Sequence, residues 1–213
     1  MYTGIVQAML PIASLKKLSG LTTFSLVLPA SLSTELETGA SIAVNGTCFT
    51  VTQMITNSQG TEVFFDAIEE TLALTNLKSI EVGTQVNVER SARANAEVGG
   101  HVLSGHVVGT AAVVAVETSE NNQRLTFRGD SAWTKYVFSK GYLALNGCSL
   151  TIAAVEGTDF AVNLIPETLR RTNFALLNVG DPVNVEIEQQ TQVIVDTVER
   201  VLAERLPSLS SMS

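Results

Sequence analysis

Two short stretches carry the residues whose chemistry stands out: Val44-Asn45-Gly46-Thr47-Cys48-Phe49-Thr50-Val51 and Leu145-Asn146-Gly147-Cys148-Ser149-Leu150-Thr151-Ile152. In each, an Asn-Gly pair follows a hydrophobic strand end and precedes a strand alternating small polar with apolar residues, the strongest short-range signal for a β-hairpin. Where the copies align, Cys48 of the first is replaced by Ser149 of the second. A thiol is a polarisable group or a nucleophile, and a hydroxyl in its place is something a purely apolar site would resist, so both positions are read as pocket-lining. Cys148 aligns instead with Thr47, on the other side of the strand, and is read as core filler. Two hairpins of one design imply two pockets of one design that do different jobs. Their lining of Thr, Ser, Asn, Cys and turn backbone suits a flat, largely uncharged, hydrogen-bonding heterocycle better than a phosphate or a metal.

Further candidates lie between and beside the hairpins. His101 and His106 are five apart and fall on opposite faces of a strand, so they do not make a metal site. His106 sits in the repeat of the Gly4-Ile5-Val6 segment and is the histidine expected to approach a ligand, whereas His101 is read as structural. The glycine-rich run Gly99 to Gly109 lacks the spacing, the lysine and the following amphipathic helix of a phosphate loop. Lys140 precedes the second hairpin where Gly39 precedes the first, placing a positive charge beside one pocket only. Glu70 and Glu167 recur in the corners Glu70-Thr71-Leu72 and Glu167-Thr168-Leu169, either capping turns or binding hydroxyls.

The elements that position these residues also come in pairs. Thr3-Gly4-Ile5-Val6 opens the first half and Ser104-Gly105-His106-Val107 the second, at the same offset as the hairpins. Thr22 to Leu28 and Gln123 to Phe127 alternate as strands, each followed by a short helical turn. Glu62 to Asp66 and Phe160 to Asn163 supply further strands. Val82-Gly83 and Val179-Gly180 then feed the period-two closing strands Val86 to Glu89 and Val183 to Glu186. Roughly six short strands per half match a small barrel or a sandwich, and closure would remove exposed edges. Ser91 to Gly100 is small and polar, as a linker is. Gln189 to Arg205 changes period: Ile194, Val198, Val201 and Leu202 share one helical face, and Pro207 ends the run. That apolar stripe packs on a barrel or, the reading preferred here, on copies of itself.

The bulk properties narrow the function. The chain has 213 residues, room for two small cores, and the repeat divides it in two. A net charge of -8 excludes a phosphate-tracking surface and with it a nucleic-acid partner. Neither a signal-peptide layout nor a bilayer-length apolar run is present, so a cytoplasmic protein with no membrane partner is expected. The two cysteines are poor candidates for a structural disulfide in that compartment.

Together with Met1-Tyr2-Thr3-Gly4-Ile5-Val6, Gly99-Gly100-His101-Val102-Leu103-Ser104-Gly105-His106 and Asn163-Leu164-Ile165-Pro166-Glu167-Thr168-Leu169, the hairpins make a sequence that closely resembles the riboflavin synthases of the α-chain type, from Met1 to about Arg205. The resemblance implies an all-β fold of two tandem six-stranded Greek-key closed barrels, over 1–97 and 98–188. A C-terminal helix over 189–205 that gathers three chains follows, then a tail over 206–213. It implies dismutation of two 6,7-dimethyl-8-ribityllumazine molecules to riboflavin and 5-amino-6-ribitylamino-uracil by four-carbon transfer. Neither metal nor organic cofactor is required. The active site would form between the N-terminal barrel of one subunit and the C-terminal barrel of a neighbour, and transient association with lumazine synthase is a further expectation.

Carried over by position, the first substrate pocket comprises Gly4, Ile5, Val6, Cys48, Phe49, Thr50, Asp66, Ala67, Ile68, Glu69, Glu70 and Thr71. The second comprises Gly105, His106, Val107, Lys140, Ser149, Leu150, Thr151, Asn163, Leu164, Ile165, Pro166, Glu167 and Thr168. One departure stands out: the family usually has Asp where this chain has Asn146, and an amide cannot take up a proton as a carboxylate does. Asn146 is therefore expected to orient the ligand while Cys48, Ser149, Thr151 or a bound water handles the proton. The rival expectation is a lumazine- or flavin-binding antenna protein without turnover; a purely structural trimer would not need polar pockets in both repeats.

Overall fold

Six antiparallel strands of the first half close on themselves. They are β1 (Ala8–Leu18), β2 (Leu21–Leu28), β3 (Ser41–Val44), β4 (Thr47–Asn57), β5 (Gly60–Ile68) and β6 (Gln85–Arg90), ordered β1-β2-β5-β4-β3-β6 around the barrel. The second half repeats that circuit with β7 (Gly109–Thr118), β8 (Gln123–Arg128), β9 (Tyr142–Leu145), β10 (Cys148–Glu156), β11 (Asp159–Leu164) and β12 (Pro182–Ile187). This computed structural model describes residues 1–57 and 60–210, with 206–210 described by backbone alone. Among the described residues four short α-helices sit between strands: α1 (Ala30–Ser33), α2 (Glu69–Leu74), α3 (Ser131–Thr134) and α4 (Pro166–Arg171). A long helix, α5 (Gln189–Ser210), follows the second barrel. It runs past the expected end at Arg205; Pro207 removes one amide donor from the ladder without stopping the last turn.

Alternation builds the two cores. Along β2, Phe24, Leu26 and Leu28 are fully buried, and Phe24 packs edge-on against Phe49 with Phe65 alongside. Phe127, Phe160 and Trp133 do the same work in the second barrel. The long opening strands β1 and β7 are hard to see by alternation: a bulge shifts register between Ile12 and Ser14 in β1 and between Val113 and Ala115 in β7. An inserted residue swaps faces part-way along, so one strand reads as two short, out-of-phase pieces.

Both Asn-Gly hairpins form as expected, with Asn45 and Gly46, and Asn146 and Gly147, all at positive φ, the signature of a tight two-residue turn. The turns meet each other: a Cβ on Gly46 would lie 2.6 Å from the Gly147 nitrogen, and one on Gly147 would lie 2.7 Å from the Gly46 nitrogen. Around this contact six asparagines exchange hydrogen bonds reciprocally. The Asn45 amide oxygen accepts from the Asn87 backbone N–H (2.8 Å) and from the Asn173 amide (3.2 Å). The Asn146 oxygen accepts from the Asn184 N–H (2.8 Å) and the Asn76 amide (3.0 Å). Asn87 donates to the Asn146 carbonyl (3.0 Å), Asn184 to the Asn45 carbonyl (2.8 Å). The barrels are thus locked about an approximate two-fold axis through the turns.

This contact makes glycine at 46 and 147 a steric requirement as well as a conformational one. Gly20 shares the positive φ but has open space where a Cβ would go, so Gly20→Ala should cost about 1–2 kcal/mol of unfolding free energy. Gly46→Ala and Gly147→Ala should cost upwards of about 3 kcal/mol, because backbone must also move. Denaturant unfolding of the three variants checks the difference.

Candidate active site

The opening segment of each half does not join its own barrel's sheet; it crosses to the other barrel. The Ser149 N–H donates to the Gly4 carbonyl (2.8 Å), and the Cys48 N–H to the Gly105 carbonyl (3.0 Å). Val6 is buried within the hydrophobic core of the second barrel. Tyr2 and Leu103, paired across the axis, tie the two segments together. The structure therefore sets Gly4, Ile5 and Val6 beside Ser149, and Gly105, His106 and Val107 beside Cys48, the reverse of the grouping expected from the order of the repeats. The physical reason is that β4 pairs with β5 only from Val51 onward and β10 with β11 only from Ile152 onward, which leaves the Cys48 and Ser149 N–H groups to be satisfied by the crossing segment.

Strand register brings the remaining ranges together. Val51 pairs with Phe65 and Ile152 with Val162, so the antiparallel continuation runs Cys48–Thr50 alongside Asp66–Ile68 and Ser149–Thr151 alongside Asn163–Ile165. Alternation then divides each range. Phe49, Ala67, Leu150 and Leu164 point into the cores and leave only backbone for a ligand. Cys48 and Ser149 are half-buried, and Thr50, Asp66, Ile68, Thr151, Asn163 and Ile165 are exposed. Asp66 accepts a hydrogen bond from the Thr23 hydroxyl (2.6 Å). Glu69 and Glu70 lie exposed in the first turn of α2, which Thr71 continues, half-buried; Pro166, Glu167 and Thr168 open α4 in the same way. Glu167 pairs with Arg170 and Arg171, which hold its carboxyl below the usual carboxylate range. The first half has Ala73 and Leu74 in place of those arginines.

The two pocket-facing side chains differ in their partners as well as their identity. The Tyr2 hydroxyl donates to the Cys48 sulfur at 3.0 Å, and burial, reinforced by that bond, raises the phenol well above its ordinary pKa. Ser149 Oγ forms a 2.6 Å hydrogen bond with His101 Nδ1, and the His101 ring stacks on Tyr142. His101 is buried, which depresses its pKa against the opposing pull of Glu188, so the imidazole is neutral at physiological pH. Its Nε2 is also buried and pairs with no group among the described residues. A neutral imidazole bonded to a serine hydroxyl can accept or relay a proton. His106, favoured from sequence, is exposed on the segment beside Cys48.

Asn146 belongs to the seam rather than to a pocket. It is fully buried, with its amide oxygen occupied by Asn184 and Asn76 and its NH2 donating to Asn173 (3.3 Å). Cys148 is core, its thiol pushed up to about 12 by burial. Lys140 stands exposed at φ +68, donating its N–H to the Ile152 carbonyl as Gly39 does to Val51. A lysine where the equivalent residue is glycine carries a strained backbone, the kind of cost that persists where a side chain serves a function. A cleft of about 870 Å³ lies elsewhere, between α1, Arg90 and the linker. It shares Ile5 alone with the residues singled out above, and its Arg90 and Arg93 are engaged by Thr34 and Glu35.

The lumazine-binding-domain family matches this chain twice, over residues 3–91 and 104–188, which makes it a tandem lumazine-binding barrel protein. The riboflavin synthase of Escherichia coli (strain K12) is 47% identical over 96% of this chain and 95% of its own length. That of Bacillus subtilis (strain 168) is 35% identical over 88% and 85%. The chain belongs to the riboflavin synthase family and is an enzyme. Among solved structures, LumP complexed with riboflavin superposes with a TM-score of 0.81 at 25% identity, covering 89% of this chain and all of that one.

His101 also makes stability depend on pH. Its folded pKa lies below the unfolded value of 6.5, so charging it favours unfolding: its contribution is complete above that pH and is lost as pH falls towards the folded value. Between about pH 7.5 and about pH 5.5 the native protein should lose more of its Tm than His101→Gln does, as scanning calorimetry would show.

Proposed function

We propose that the enzyme joins two molecules of 6,7-dimethyl-8-ribityllumazine, moving four carbons from one to the other to give riboflavin and 5-amino-6-ribitylamino-uracil. The observation that carries this reading is the crossed pair of pockets. A reaction between two copies of one compound needs two alike sites, and here like backbones carry unlike proton-handling groups: Tyr2–Cys48 on one, His101–Ser149 on the other. One lumazine loses a proton from its C7 methyl group and the resulting carbon nucleophile adds to the second. His101, neutral and coupled to Ser149, is suited to receive that proton; Thr151, Asn163 and Lys140 orient the ring and ribityl chain in the same pocket. Thr50 and Asp66 do so beside Cys48. Holding the heterocycles face to face can remove roughly 7–11 kcal/mol of barrier, so positioning outweighs any single base.

Face-to-face stacking is best met by pairing the Cys48 pocket of one subunit with the Ser149 pocket of another in a homotrimer. The apolar groups that such pairing would cover are exposed in the single chain: Ile68 near the Cys48 pocket, and Ile5, Tyr142 and Ile165 near the Ser149 pocket. On α5, Lys135 and Tyr136 hold Glu199 (2.6 Å) and Asp196 (2.5 Å), while Ile194, Val198, Val201 and Leu202 stay exposed. That stripe is the trimer contact in this reading. No helix among the described residues is long and apolar enough to cross a membrane, and the enzyme is taken to act in the cytoplasm, drawing substrate from a lumazine-forming partner.

Incubating the purified protein with the lumazine alone should yield riboflavin and the pyrimidine in equal amounts, from a species sedimenting as three chains. Ser149→Ala should lower turnover by roughly tenfold to hundredfold. Tight fluorescent binding without product would mean a LumP-like carrier instead.

A further inference from the structure

Each closing strand carries a buried glutamate whose carboxylate, among the described residues, meets no basic side chain. Glu89 on β6 and Glu186 on β12 are 4% and 5% exposed. Both stand two residues after a seam asparagine, Asn87 or Asn184, and so on the outer face of their barrel while Val88 and Val185 fill the cores. Glu89 accepts the Thr3 N–H (2.6 Å), the Thr3 hydroxyl (2.8 Å) and the Gly4 N–H (3.1 Å). Glu186 accepts the Ser104 N–H (2.7 Å), the Ser104 hydroxyl (2.8 Å) and the Gly105 N–H (3.1 Å). A carboxylate taken out of water is costly unless its oxygens are filled by donors, and in both halves the donors come from the crossing segment.

We propose that Glu89 and Glu186 are crossed positioning residues: each belongs to one barrel and sets the pocket of the other. Glu186, of the second barrel, fixes Gly105, whose carbonyl receives the Cys48 N–H; Glu89, of the first barrel, fixes Gly4, whose carbonyl receives the Ser149 N–H. The chain of contacts has three members joined by two hydrogen bonds in both directions: carboxylate, glycine, pocket residue. Neither glutamate touches the reacting atoms in this scheme. The inference rests on the two-pocket reading above but is read out independently of turnover.

Glu→Gln is nearly isosteric and replaces one acceptor oxygen by an NH2 that faces N–H donors. Glu186→Gln should change the rate at which a thiol reagent labels Cys48, followed by peptide mass mapping, on the order of tenfold, while leaving the NMR titration of His101 where it is. Glu89→Gln should shift the His101 titration and leave Cys48 labelling unchanged. Should either variant fail to fold, Thr3→Val and Ser104→Ala each remove one clasp donor while keeping the carboxylate, and must show the same crossed pattern at smaller amplitude. Equal effects on both readouts, or effects confined to the glutamate's own barrel, would overturn the proposal. A crossed pattern in a protein that makes no riboflavin would leave it standing and overturn only the assigned reaction.

Discussion

The asparagine seam is the interaction on which everything else in this molecule depends. Five buried amides, a half-buried sixth at Asn76 and the backbone groups of two Asn-Gly turns meet between the barrels, and their hydrogen bonds are mutual: Asn45 and Asn146, Asn76 and Asn173, Asn87 and Asn184 each answer the other across the axis. A buried amide left without its partner costs about 1–3 kcal/mol, so a sliding or tilting of one barrel would break several such bonds at once. The seam therefore specifies a single mutual orientation, which an apolar contact of the same size would specify less sharply.

From that orientation the pockets inherit their composition. With the hairpin turns in contact, each opening segment lies between its own barrel's closing strand and the other barrel's hairpin strand, and the exchange Gly4 to Ser149 and Gly105 to Cys48 follows. Symmetry of backbone is thereby combined with asymmetry of chemistry. Tyr2 reaches Cys48 where its counterpart Leu103 has no hydroxyl to offer; His101 bonds Ser149 in the other pocket; Lys140 stands in the second half where Gly39 stands in the first. Duplication supplies two like sites, and a handful of substitutions makes them unlike enough to hold the same compound in two roles.

Much of this was legible in the chain itself. The repeat, the Asn-Gly hairpins, the closing strands and the helical stripe after the second half all appear in the structure, because turn chemistry and alternation are local signals. What escaped was non-local. Bulges at Ile12/Ser14 and Val113/Ala115 hid the opening strands by breaking their period. Repeat order suggested that Gly4 to Val6 would serve the hairpin that follows it, whereas the segment crosses to the other barrel. Asn146 was expected to orient the ligand because it stands where the resembled family usually has Asp, yet the turn aims it into the seam. The N-x-E spacing of Asn87/Glu89 and Asn184/Glu186, polar on the outer face of an otherwise apolar strand and present twice, was the visible trace of the interface. It carries meaning only once two barrels are known to face each other there.

The central claim is that each pocket is walled by the opening segment of the opposite half. A crystal structure of the protein with a non-reactive lumazine analogue in both pockets tests it most directly. The account predicts one ligand contacting Cys48, Thr50 and the Gly105–Val107 backbone, and the other contacting Ser149, Thr151 and the Gly4–Val6 backbone. A ligand bridging Cys48 with Gly4–Val6, or Ser149 with Gly105–Val107, within the same chain would contradict it.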